Sequence, residues 1–164
     1  MIRRVTEADA AAIATIYNEY VLHTTISFET EAVSTQKMRE RILTLSQHFP
    51  WFVWEEDGTI LGYCYAHPWK ERAAYAHTWE TTVYLAKPAQ RQGIGMQLMQ
   101  KLIQACRATG CRALIACITH NNTPSARFHE KLGFRQVSHF TGVGFKFGQM
   151  LDVSDYELQL PAEE

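Results

Sequence analysis

With 164 residues, the chain is long enough for one domain that closes a hydrophobic core without disulfide or metal staples. Hydrophobic residues make up 46% and charged residues 20%, which argues against a disordered chain, and a formal net charge of −1 gives no electrostatic case for nucleic acid. No apolar run approaches the roughly 18 residues of a membrane helix, and Glu7 and Asp9 follow the two N-terminal arginines at once, so neither a spanning segment nor a signal peptide is expected.

In chain order, Met1 to Val5 reads as a short strand. Thr6, with Asp9 three residues on, caps a helix whose apolar face is Ala12, Ile13, Ile16, Tyr17, Tyr20 and Val21. His23 to Thr30 reads as an extended loop, and Ser34 caps a second helix with Met38, Ile42 and Leu45 on one side. Pro50 opens the strand Trp51 to Trp54, Asp57-Gly58 signals a hairpin, and Ile60 to His67 returns. A charged loop, Pro68 to Arg72, precedes the strand His77 to Leu85. After a long helix ended by Gly110, Ala113 to Ile118 reads as a buried strand and Ala126 to Leu132 as a helix stopped by Gly133. Phe134 to Phe140 and Met150 to Leu160 are expected as two final strands, joined across Gly142, Gly144 and Gly148. The order implies a mixed α/β sheet with helices on its faces. Cys64, Cys106, Cys111 and Cys117 form no CxxC pair, so they are expected to be small core residues in a reducing cytoplasm rather than zinc ligands or disulfides.

The most informative stretch is Thr81 to Cys106. A β-branched strand runs through Lys87-Pro88 and Gln90-Arg91-Gln92-Gly93-Ile94-Gly95 into a helix whose apolar stripe is Ile94, Leu98, Leu102 and Cys106, widened by Met99 and Ala105. Free N–H groups in a first helical turn favour an anion, Gly93 and Gly95 allow close approach, and Arg91 adds a fork of donors. The phosphate-loop pattern GxxxxGK[ST] is absent, and GxGxxG fails because Leu98 stands where the third glycine would be. By itself the motif is either an anion cradle or a tight strand-to-helix turn.

Gln90-x-x-Gly93-x-Gly95 resembles the pyrophosphate loop of the GNAT superfamily of N-acetyltransferases, and Asn122 to Phe134 (NTPSARFHEKLGF) is similar to a second motif of that superfamily. Trp69 to Tyr75, Glu80 to Tyr84, Thr25 to Phe28 and Gly144 to Gly148 resemble its phosphinothricin and methionine sulfoximine/sulfone branch, so the likeness covers nearly the whole chain. The resemblance implies a single GNAT domain over 1–164, a twisted mixed sheet splayed at an acetyl-CoA site, no metal, no nucleic-acid or membrane partner, and a homodimer that detoxifies amino-acid-like amines.

Acetyl transfer to an amine needs the thioester held, the amine neutral and the oxyanion stabilised. The resemblance places Val83, Tyr84 and Leu85 along the pantetheine, Arg91, Gln92, Gly93, Ile94, Gly95 and Met96 at the pyrophosphate, and Asn122 at the pantetheine arm. Leu85 N–H is either the oxyanion donor or an ordinary ladder bond. Glu80 sits among Trp79, Thr81, Thr82 and Val83, a poor place for an unpaired charge, and is the expected general base; the alternatives are a solvated strand residue or a salt-bridge partner. His129 stands where many superfamily members carry a Tyr, and either protonates the leaving thiolate or packs beside the coenzyme. Lys70 and Arg72 are expected to hold the substrate's anionic end, with Tyr75 and Phe28 lining its pocket. Two other readings remain: a GNAT acting on another amine, such as a protein N-terminus or polyamine, and a non-catalytic acetyl-CoA-binding module.

Overall fold

Eight strands form one mixed sheet in the computed structural model, which describes residues 1–162. β1 (Ile2–Arg4), β2 (Trp51–Glu56), β3 (Thr59–Pro68) and β4 (Thr78–Leu85) pair antiparallel in spatial sequence. β5 (Ala113–Thr119) joins β4 in parallel, and β8 (Gln149–Gln159) lies antiparallel on β5. β6 (Arg135–Gln136) and β7 (Phe140–Lys146) both pair with β8. No helix among the described residues is long and apolar enough to cross a membrane.

Helices cover both faces, so the inner strands are apolar on both sides. Trp51, Val53 and Tyr63 pack under α1 (Ala10–His23) and α2 (Thr35–Leu45), whereas Phe52, Cys64 and Ala66 face α3 (Ile94–Ala108) and α4 (Thr123–Lys131). The α3 stripe behaves as its spacing predicts: Ile94, Leu98, Met99, Leu102 and Cys106 are all buried, and each large side chain removed from water stabilises the fold by about 1.5–3 kcal/mol. The local signals also hold. Thr6 N–H donates to Asp9 Oδ2 at 2.8 Å at the entry to α1, and Ser34 Oγ accepts from Lys37 N–H at 3.0 Å. Asp57 and Gly58 both take positive φ (48° and 77°), the two-residue turn whose twist matches a hairpin.

Two expectations are corrected. The segment Phe134 to Phe140 is not a full strand: only Arg135 and Gln136 pair, and the longer strand is β7, which contains Gly142 and Gly144 rather than ending before them. Gly144 is needed there because a Cβ would lie 2.3 Å from Cε2 of Phe28, whose ring rests on the β7 backbone. Cys117 is exposed, unlike the other three cysteines. Its neighbours Ala116 and Ile118 face the α3–α4 core, and Cys117 therefore points to the opposite side, where the α1–α2 core includes no residue of β5. A smaller difference is that α4 begins at Thr123, with Pro124 in its first turn, three residues before the expected start.

Candidate active site

The β4–β5 pair is where the sheet opens. Thr78, Trp79 and Glu80 are in register with Ala113, Leu114 and Ile115, and the pairing stops there. Beyond Glu80, β4 stays on β3 as far as Leu85, and β5 stays on β8 as far as Thr119, so the two strands diverge into a V. Which main-chain groups line it follows from antiparallel alternation. Ala86 N–H donates to Leu61 O and Trp69 N–H to Thr78 O, so the even-numbered residues of β4 bond to β3. Arg112 N–H donates to His77 O, so the odd ones face β5. The N–H groups of Val83 and Leu85 consequently point into the V and have no protein partner among the described residues. Tyr84 differs: its main chain belongs to the β3 ladder opposite Tyr63, and its ring packs against Tyr17 and Tyr20.

A cavity of about 510 Å³ occupies this opening. Glu80, Thr82, Val83 and Tyr84 from β4, Cys117 and Thr119 from β5, and Asn122 and His129 from the start and body of α4 all line it, and the loop after α1 adds Ser27, Phe28 and Glu29. Burial first, and then the Asp155 carboxylate, push the Glu80 carboxyl up to about 7. His67, paired with Glu80 across β3–β4, has Nε2 4.0 Å from Glu80 Oε1, and burial lowers its pKa. Because burial drives both toward their neutral forms, the two are not an ion pair near neutral pH. Burial likewise lowers His129, whose Nδ1 lies 2.8 Å from the Ser125 carbonyl; that oxygen can only accept, so Nδ1 carries the hydrogen and Nε2 is an acceptor. Cys117 is exposed only toward the cavity, whose walls take its thiol partly out of water and push it up to about 12, with Glu80 and Asp155 adding to the effect, so near pH 7 it stays protonated. Glu29 is the opposite case, held below its ordinary range by the guanidinium of Arg41 (2.6 and 2.9 Å) despite burial, with further help from Tyr17.

The turn ahead of α3 is a second preorganised element. Arg91 and Gly93 both have positive φ (62° and 78°), and α3 bonding starts only with Gln97 N–H to Gly93 O. The six main-chain N–H groups from Arg91 to Met96 have no acceptor among the described residues. Such a run of amides at a helix N-terminus is a concave anion site. Gly93 meets the φ requirement, while Gly95 lets the turn sit against β4 and α4: a Cβ there would be 3.3 Å from Leu85 and 3.6 Å from Phe128. The turn does not line the cavity but sits at the end of β4, where the V is widest.

Comparison with known proteins agrees with this geometry. Residues 2–154 match the family model described as an acetyltransferase (GNAT) domain. The chain belongs to the GNAT acetyltransferase family. This GNAT enzyme is 38% identical over 164 residues to a phosphinothricin N-acetyltransferase of Streptomyces viridochromogenes, covering 98% of the chain and 90% of the relative. It is 34% identical over 163 residues to an L-methionine sulfoximine/L-methionine sulfone acetyltransferase of Salmonella typhimurium, covering 97% and 94%. An acetyltransferase from Salmonella typhimurium solved with its cofactor acetyl-CoA superposes with a TM-score of 0.96 at 33% identity, covering 100% of this chain and 95% of that one.

Within this GNAT acetyltransferase, the structure gathers Phe28, Glu80, Val83, Tyr84, Asn122 and His129 around one cavity. Asn122 Oδ1 is engaged as the cap of α4, accepting from Ser125 N–H at 3.3 Å. Lys70, Arg72 and Tyr75 are not on the cavity wall: they lie on the β3–β4 loop, where the Lys70 ammonium sits 4.2 Å from the Trp69 ring centroid and 5.3 Å from that of Tyr75. Sequence reasoning missed Tyr17, Ser27, Glu29, Tyr65 and His67. A usable signal existed for two of them, because Tyr65 and His67 alternate on β3 and a hairpin partner for Glu80 must fall there.

Proposed function

We propose that the enzyme transfers the acetyl group of acetyl-CoA to the α-amino group of a small amino-acid-like substrate of the phosphinothricin, methionine sulfoximine or methionine sulfone type, with Glu80 as general base. The observation that carries this reading is Glu80 itself: a carboxyl with pKa about 7, at the last paired residue before the V, on the wall of the cavity. A base is most effective when its pKa lies near the working pH.

Acetyl-CoA, when bound, supplies the activated acyl group, and the chain's own groups suit its parts. The amides of Arg91 to Met96 bind the diphosphate, and those of Val83 and Leu85 meet the amide-bearing arm and the thioester oxygen, with Leu85 N–H placed for the developing oxyanion. Glu80 takes the proton from the attacking nitrogen. His129, neutral and with Nδ1–H committed to Ser125, acts as an acceptor beside the coenzyme, which favours its packing role over that of proton donor. Arg72 and Lys70, although off the cavity wall, lie on the loop that connects β3 and β4 at the Glu80 end of the sheet, and we assign them the substrate's anionic end, which they reach from that loop. Capping the α-amine removes the ammonium of such a compound, which is the sense in which the enzyme detoxifies.

Homodimerisation is part of the proposal. Val143, Phe145, Phe147 and Met150, each about 60% exposed, put apolar side chains on the β7–β8 hairpin, with Val143 and Phe145 on the face of β7 opposite the one that packs on Phe28, and exposed apolar surface of that kind suits an interface. Light scattering on the purified protein reports the state directly. The activity is tested by thiol release over phosphinothricin, methionine sulfoximine, methionine sulfone, ordinary amino acids, polyamines and peptides. Selective turnover of the first three supports the reading, preference for peptides or polyamines replaces it with another amine acetyltransferase, and binding of acetyl-CoA without thiol release leaves a binding module.

A further inference from the structure

We propose that His67 is the group through which Glu80 returns its proton to solvent after each turnover. The inference rests on the reading of Glu80 as the base and adds a residue to it. Three geometric observations carry it. His67 is the direct cross-strand partner of Glu80, so backbone pairing rather than a flexible loop fixes their separation. Its Nδ1 lies 3.1 Å from the Pro68 carbonyl oxygen; a carbonyl only accepts, so Nδ1 holds the hydrogen and the lone pair is on Nε2. That Nε2 is the ring atom facing Glu80, 4.0 Å from Oε1, too long for a standing hydrogen bond but short enough for rotation of the carboxyl to close. His67 also lines the cavity while about a quarter of its side chain meets solvent, so one ring has access to both sides.

The proton count closes. As the C–N bond forms and the thioester C–S bond breaks, an N–H bond of the neutral amine breaks and a Glu80 O–H bond forms, while the departing thiolate takes a proton from water and leaves as the thiol. The Glu80 O–H bond then breaks and an Nε2–H bond forms, leaving Glu80 ionised for the next amine. The resulting imidazolium releases one proton to water or buffer at the mouth of the cavity. Burial disfavours the imidazolium, so His67 does not retain the proton. The other titratable groups nearby are not placed for this step. Tyr65, beside His67 on β3 (ring centroids 5.6 Å apart), is held in its neutral form by burial, and Cys117 and Asp155 lie toward β5 and β8.

The test is His67→Asn, which keeps an amide donor near the Pro68 carbonyl but has no Nε2. In dilute buffer with saturating acetyl-CoA and methionine sulfone, kcat should fall about tenfold, less than the ~10²–10⁴ lost with a group that acts in the bond-making step. Added imidazole should restore kcat in the variant and leave the wild type unchanged, while KM and the acid limb of the pH profile stay put. Recovery by imidazole also shows that the variant is folded. An undiminished kcat, a loss that imidazole and other small buffers do not repair, or a displaced acid limb overturns the relay. Glu80→Gln measured alongside reports on the parent reading alone: if it remains active, Glu80 is not the base and the relay falls with it. If it is inactive while His67→Asn is normal, only the relay fails.

Discussion

Glu80→Gln should make the enzyme slower and its fold more stable, and the second effect can be worked from the structure. The folded protein raises this carboxyl from its ordinary 4.5 to about 7, so the folded state binds the Glu80 proton more tightly than the unfolded chain does. The sign follows. Above about pH 7 the folded protein carries an ionised carboxylate in a setting that disfavours charge, a penalty of about 3 kcal/mol that fades as pH falls through 7 toward 4.5. Glutamine keeps the shape without the charge, so at pH 8 the variant gains up to that amount. At about 2–4 °C of Tm per kcal/mol for a chain of this size, the shift is on the order of 5–10 °C. It should shrink to near zero in a parallel melt at pH 4.5. The activity runs the other way, because loss of a general base lowers kcat/KM by roughly 10²–10⁴. Thermal melts at the two pH values and kcat/KM at pH 8 are the measurements. Equal Tm values at pH 8, or kcat/KM within a factor of about 3 of wild type, would refute the assignment of a charge-disfavoured base.

The wild-type kcat/KM should rise with pH through about 7, and Asp155→Asn should move that limb to lower pH while leaving part of the elevation, since burial is the larger cause. Gly93→Ala meets no neighbour within 4 Å but must adopt φ +78°; it should cost about 1–2 kcal/mol of stability and raise KM for acetyl-CoA, read from melts and saturation curves, with KM for the amine unchanged. Gly144→Ala places a Cβ 2.3 Å from Cε2 of Phe28 and must displace the ring, so KM for the amine should rise while acetyl-CoA binding by calorimetry stays as it was.

Much of this site was legible because its parts are local. The α3 stripe, the glycines before it and the Asp57-Gly58 turn each depend on residues a few positions apart, where spacing and backbone preference carry the information. Glu80 was legible for another reason: a carboxylate among tryptophan, threonine and valine is conspicuous in a strand. What stayed hidden depends on distant pairings. Glu29 reaches the cavity only because Tyr17 and Arg41 hold it, the latter twelve positions away. Cys117 reads as a core residue in an apolar strand until the divergence of β4 leaves its face uncovered. The glycines of β7 look like a linker because the ring that needs one of them, Phe28, is 116 positions earlier in the chain.

The three residue pairs that join β4 to β5 have a mechanical meaning. Four antiparallel strands on one side and four on the other are stiff plates, and this short seam is the only ladder between them among the described residues. Compliance concentrates at such a joint. Apart from the α3–α4 core that lies across both plates, little else among the described residues ties them together, and a cargo seated in the notch touches both and acts as a strut that braces them against each other.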